Sequence, residues 1–143
     1  MNNCSISLVA HATGNELHLE VKLDNQTKFS KILSTEPESI EFDFVDGSDD
    51  AHVMEIILSG KKQDHTVIDN AGSIVSDRIV EISDVSLDGI QLGQLFLDKT
   101  TYTHDFNGTA EKIQDQFFGT MGCNGSVHFE FTSPVYLWLL ENM

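Results

Sequence analysis

Two alternating runs near the start constrain this chain more than any other feature. Ile6, Leu8, Ala10 and Ala12 alternate with Ser5, Ser7, Val9 and His11. Leu17, Leu19, Val21 and Leu23 then alternate with His18, Glu20, Lys22 and Asp24. A period of two places one set of side chains on one face of a strand, so both runs predict half-buried β-strands. Between them, Thr13-Gly14-Asn15-Glu16 has turn chemistry, and the segment reads as a hairpin with one buried face.

The pattern continues. Thr27 to Leu33 forms a third run, and Ile40, Phe42 and Phe44 alternate with Glu41, Asp43 and Val45. Val53-Met54-Glu55-Ile56-Ile57-Leu58 is denser in apolar residues and predicts a central strand that stops at Ser59-Gly60-Lys61-Lys62. Gln63 to Ser76 mixes a short strand with loop. Arg78 to Val85, Leu87 to Leu97, Thr100 to Phe106 and Val127 to Phe131 read as further strands, and Ile113 to Phe118 is ambiguous. Ser133-Pro134 matches an N-cap followed by proline at the first helical position, so Val135 to Leu140 predicts a short helix. Roughly nine short strands with few long gaps predict an all-β fold. The expected architecture is an antiparallel β-sandwich of jelly-roll or Greek-key type with a short C-terminal helix, one domain over residues 1–143.

Composition narrows the function. Hydrophobic residues make up 40% of 143, enough for a packed core. The formal net charge is -15, from 8 Lys+Arg against 23 Asp+Glu, which argues against nucleic acid or an anionic membrane as partner. Met1-Asn2-Asn3-Cys4-Ser5 shows no signal peptide. With no such signal, Cys4 and Cys123 are expected as free thiols.

Two acidic stretches are candidate calcium loops. Asp43, Asp46, Asp49 and Asp50 lie in the first, and Asp84 and Asp88 in the second. Clustered carboxylates suit a hard cation, although neither stretch has EF-hand spacing. The alternative reading is a solvated turn in each case, and a meeting of the two at one end of the sandwich would favour a calcium site. In the predicted hairpin register, His11 lies opposite His18 with Cβ atoms about 5 Å apart. Glu20 is a neighbour on the same face, and this set is an alternative transition-metal site. No G-x-S-x-G elbow, phosphate loop or helix-borne His/Glu pair is present, so no enzyme is expected. Tyr102 and Tyr136 are the candidate sugar-contacting aromatics, since most Phe residues fall on the apolar face. Trp138, Leu139 and Leu140 sit in an apolar tail suited to plugging the sandwich or forming an interface.

Two resemblances follow. Ile6-Ser7-Leu8-Val9-Ala10-His11-Ala12-Thr13-Gly14, followed by Leu17-His18-Leu19-Glu20-Val21-Lys22-Leu23-Asp24-Asn25, resembles the opening of calcium-dependent xylan-binding modules. Those end the second strand in a Val-Asp-Gly-like turn, where this chain has Leu23-Asp24-Asn25. This resemblance implies a jelly roll with calcium held by loop carboxylates and backbone oxygens. Phe118-Gly119-Thr120-Met121-Gly122-Cys123-Asn124-Gly125-Ser126 and Phe131 to Asn142 are similar to small uncharacterised proteins of large tailed cyanophages. That resemblance implies a viral origin and the cytoplasm of the producing host cell, or the virion, as location. The leading expectation is a non-catalytic ligand-binding module similar to carbohydrate-binding modules, with a glycan as partner and calcium as cofactor. The alternative is a phage structural or assembly protein whose apolar tail joins it to further copies or to virion proteins.

Overall fold

The computed structural model describes residues 2–47, 50–62, 66–104 and 111–143. Asp49, His65 and the Asn107-Gly108 turn lie outside the described residues. The first strands are β1 (Asn2–Ala12), β2 (His18–Leu23), β3 (Gln26–Ile32), β4 (Glu38–Asp46) and β5 (Ala51–Ser59). A short ribbon, β6 (Val67–Ile68) and β7 (Ile74–Ser76), precedes β8 (Val80–Leu87) and β9 (Ile90–Gln91). Helix α1 (Gln94–Asp98) leads into β10 (Thr100–His104), β11 (Ile113–Gln116), β12 (Thr120–Met121), β13 (Gly125–Thr132) and helix α2 (Val135–Asn142).

The strands form an antiparallel sandwich with a short C-terminal helix. One sheet runs β12-β8-β1-β4, with β9 added to β8, and the other runs β11-β10-β13-β5-β2-β3. Both bury alternate residues in one core that contains Ile6, Leu8, Leu19, Ile56, Phe117 and Phe129. The dense run at Val53 to Leu58 is central, with β5 paired to β2 on one side and β13 on the other.

The expected hairpin of β1 with β2 does not form. β1 pairs with β4 and β8, and β2 pairs with β3 and β5. The turn at 13–16 is an arch that carries the chain from one sheet to the other. Alternation specifies which residues face the core, and it is identical for a hairpin and an arch. Outside contacts hold the arch: Thr13 N–H donates to Ile79 O at 2.9 Å, and Arg78 Nη1 donates to Asn15 O at 3.0 Å. A Cβ on Gly14 would lie 2.4 Å from Arg78 Cγ, so any side chain here would force Arg78 to shift.

Two other expectations change. The Leu87 to Leu97 stretch contains helix α1 after β9, where Leu95, Phe96 and Leu97 pack toward the core. Ser133 does not cap α2; Pro134 holds the N-cap position, with no side-chain cap. Neither Cys4 nor Cys123 forms a disulfide. Lys61, with its side chain 1% exposed, pairs with Asp77 at 2.7 Å and also donates to the Gly122 carbonyl. Burial alone would raise the Asp77 carboxyl, but hydrogen bonds from Lys61 and Thr66 hold it below its ordinary value. No helix among the described residues is long and apolar enough to cross a membrane.

Candidate functional site

An open cleft of about 540 Å³ draws residues from both sheets. β4 supplies Asp43, Phe44 and Val45; β3 supplies Gln26 and Lys28; β1 supplies Asn3; and Asp24, Asp50 and His52 complete the wall. Strand phase explains who faces outward. Phe44 is buried, so Asp43 and Val45 on either side of it are exposed. Asp24 and Asn25 both take positive φ, at 51° and 68°, which closes the two-residue turn between β2 and β3. Short polar side chains tolerate that conformation better than most.

The carboxylates of this cleft are not equivalent. Each Asp24 oxygen already has a protein donor: its Oδ2 accepts from His52 Nδ1–H at 2.7 Å and its Oδ1 from Val53 N–H at 2.9 Å. His52 in turn lies 2.8 Å from the Ser133 hydroxyl. Asp43 and Asp50 carry no side-chain hydrogen bond or ion pair with any described residue, and only Lys28 brings a full positive charge to the wall. With the amide oxygens of Asn3 and Gln26 they make a hard-oxygen donor set of the kind calcium takes. The fit is chemical rather than preformed. Among the described residues, no group of three or more His, Cys, Asp or Glu is gathered to hold a metal.

The two acidic stretches do approach each other, but elsewhere and with another result. Asp46 and Asp88 both lie close enough to Cys4 and Tyr136 to influence their ionisation. Their oxygens face protein donors. Asp46 accepts from Val135 N–H at 3.1 Å and lies beside the Cys4 thiol, and Asp88 accepts from the Tyr136 hydroxyl. Burial, then the Asp46 contact, pushes the Cys4 thiol up to about 11. The hydrogen bond to Asp88 and its charge raise the Tyr136 phenol. Asp84 is separate from both groups. It sits inside β8 with φ 54° and lines a groove with Gln91 and Phe118.

The remaining candidates are corrected by the sheet assignment. His11 belongs to one sheet and donates to Thr35 O, while His18 and Glu20 belong to the other. His18 Nε2 lies 2.9 Å from Ser30 Oγ, and Glu20 accepts from Thr27 at 2.8 Å, so no His11–His18–Glu20 site exists. Tyr102 is only 7% exposed, because the β10 alternation turns it inward. Its hydroxyl donates to the Cys123 carbonyl and accepts from Cys123 N–H, so it offers no sugar platform. Burial pushes its phenol up to about 12. Tyr136 is exposed but stands at the Asp88 patch, outside the cleft. Trp138 and Leu139 are buried, with Trp138 edge-on to Phe129 at 5.7 Å, so they plug this chain's own core. Leu140 alone of the three faces solvent, at 79%.

Sequence reasoning missed Asp24, His52 and Ser133. Asp24 reads as a turn residue, Ser133 as a helix cap, and His52 has no sequence neighbour that marks it. His52 is 28 residues from Asp24 and 81 from Ser133, so no local spacing could reveal their contact.

No protein-family profile matches the chain, and no curated protein gives a significant match. Solved structures do share the fold. The chain is similar to the selenomethionine form of vCBM60, from work on circular permutation linking two families of calcium-dependent carbohydrate binding modules. The TM-score is 0.56 at 12% identity, over 88% of this chain and 89% of that one. vCBM60 in complex with galactobiose gives a TM-score of 0.53 at 14% identity, over 87% of this chain and 96% of that one.

Proposed function

We propose that this protein is a non-catalytic glycan-binding module whose ligand occupies the Asn3–His52 cleft, with calcium bound there alongside it. One observation carries the reading. An open cleft in a fold shared with carbohydrate binding modules leaves the Asp43 and Asp50 carboxylates without a hydrogen bond or ion pair to any described residue, next to the amides of Asn3 and Gln26. Sugar hydroxyls are donors and acceptors at once, and carboxylates and amides complement them directly. Calcium, when bound, supplies attraction for hydroxyl oxygens. Asp43, Asp50 and the amide oxygens are the residues that would hold it.

Among the described residues no exposed aromatic ring lines this cleft, since Phe44 is buried. Recognition therefore rests on oxygens rather than on stacking. The acidic wall and the net charge of -15 favour neutral over uronic or sulfated glycans. The test is titration calorimetry of metal-stripped protein with xylan oligosaccharides and galactobiose, with millimolar calcium and then with chelator. Binding that needs calcium and vanishes in Asp43→Asn/Asp50→Asn supports the reading. A folded protein that binds no neutral glycan in calcium refutes it.

A further inference from the structure

The Asp24–His52–Ser133 chain has the geometry of a charge-assisted relay. A carboxylate can only accept, so His52 Nδ1 carries a proton toward Asp24 at 2.7 Å. Nε2 of the neutral ring then accepts from the Ser133 hydroxyl at 2.8 Å. The imidazole is stacked on Phe131 at 5.1 Å and edge-on to Phe44 at 5.2 Å, which fixes its plane. Hydrolases activate serine with this constellation, in one family also in the chain order Asp, His, Ser.

Two features separate it from a nucleophile. Ser133 is only 3% exposed. The nearby donors that could stabilise an oxyanion are also committed. Ser133 N–H donates to Asp50 O, Pro134 has no N–H, and Val135 N–H donates to Asp46. Acyl transfer loses on the order of 10²–10³ in rate for each such donor removed.

We propose instead that Ser133, acting through His52, is a positioning residue that decides which carboxylates the cleft offers to a ligand. Ser133 does not line the cleft, whereas His52 and Asp24 do. By occupying Nε2 it holds the ring in the orientation that keeps Nδ1–H on Asp24. One face of Asp24 is thereby tied to His52 and Val53, although its side chain stays 44% exposed, whereas Asp43 and Asp50 carry no such bond to a described residue. Removing the hydroxyl leaves Nε2 without its donor, loosens the Nδ1–H bond and makes Asp24 Oδ2 a competing acceptor in the cleft. The consequence for affinity rests on the glycan reading; the consequence for His52 does not.

The experiment compares full-length wild type with Ser133→Ala and Ser133→Thr by nitrogen-15 NMR of the His52 ring and by titration with xylan oligosaccharides in calcium. The expected result is a His52 ring protonated at Nδ1, with slow exchange in wild type and Ser133→Thr. In folded Ser133→Ala, exchange rises and affinity falls, each about tenfold, the scale of one lost hydrogen bond. Unchanged His52 exchange in folded Ser133→Ala overturns the proposal. So does covalent labelling of Ser133 by a fluorophosphonate probe, which would make it a nucleophile. A wild type that binds no glycan refutes the glycan reading, and His52 exchange then decides the relay alone.

Discussion

Two acidic regions of this molecule resemble each other in composition and differ in state. At the start of α2, Asp46 and Asp88 face a thiol, a phenol and a backbone N–H, all of them protein donors. In the cleft, Asp43 and Asp50 face solvent and no described donor. Strand phase produces the contrast. Asp46 shares the inward phase of Phe44 at the end of β4 and meets Cys4 beneath α2, whereas Asp43 has the outward phase. A carboxylate's availability depends on which donors its face of the strand reaches. The number of acids in a stretch is a poor guide to it.

The comparison can be broken first at the helix. If the α2 end is structural, Trp138→Ala should cost about 3–5 kcal/mol in urea unfolding, because a large core ring leaves a cavity. Next, Asp46→Ala should cost about 1–3 kcal/mol by leaving Val135 N–H without its acceptor, while Asp43→Ala should stay within about 0.5 kcal/mol. Equal losses at the two positions would erase the distinction. Cys4 sharpens it through pH. Its folded-state pKa, about 11, lies above the ordinary 9.0, so the fold favours the neutral thiol. That stability is complete below pH 9.0 and is lost as pH rises toward about 11. Wild type should therefore lose more thermal stability than Cys4→Ala across that window, and Cys4 should resist alkylation at pH 8 until the protein unfolds. The smallest effect is expected at Leu140→Ala, within about 0.5 kcal/mol and with no change in light-scattering mass. A lower mass would revive the tail as an interface.

Much of the fold is legible in the alternation. Ile6, Leu8, Ala10, Leu19 and Val21 all face the core as their phase predicts, and the dense run at Val53 to Leu58 is a central strand. What alternation lacks is the identity of the neighbouring strand, which is why an arch reads as a hairpin and His11 is expected beside His18. Helix α1 hides because it has only five residues, too few to show a helical period. The site is less legible. Asp43 and Asp50 stand out as acids, and phase separates Asp43 from Asp46, but nothing local shows that Asp46 and Asp88 meet protein donors. Ser133 looks like a helix cap because its sequence neighbours fit that role. Its hydroxyl instead follows a contact made 81 residues away.

The central claim is that the cleft, rather than the Asp46–Asp88 patch, receives the ligand. NMR shift mapping of the isotope-labelled protein, titrated with calcium and then a xylan oligosaccharide, tests it most directly. The account predicts shifts concentrated at Asn3, Gln26, Asp43 and Asp50, with Asp46, Asp88 and Tyr136 unmoved. Shifts centred on Asp46 and Asp88, or none anywhere in the folded protein, would contradict it.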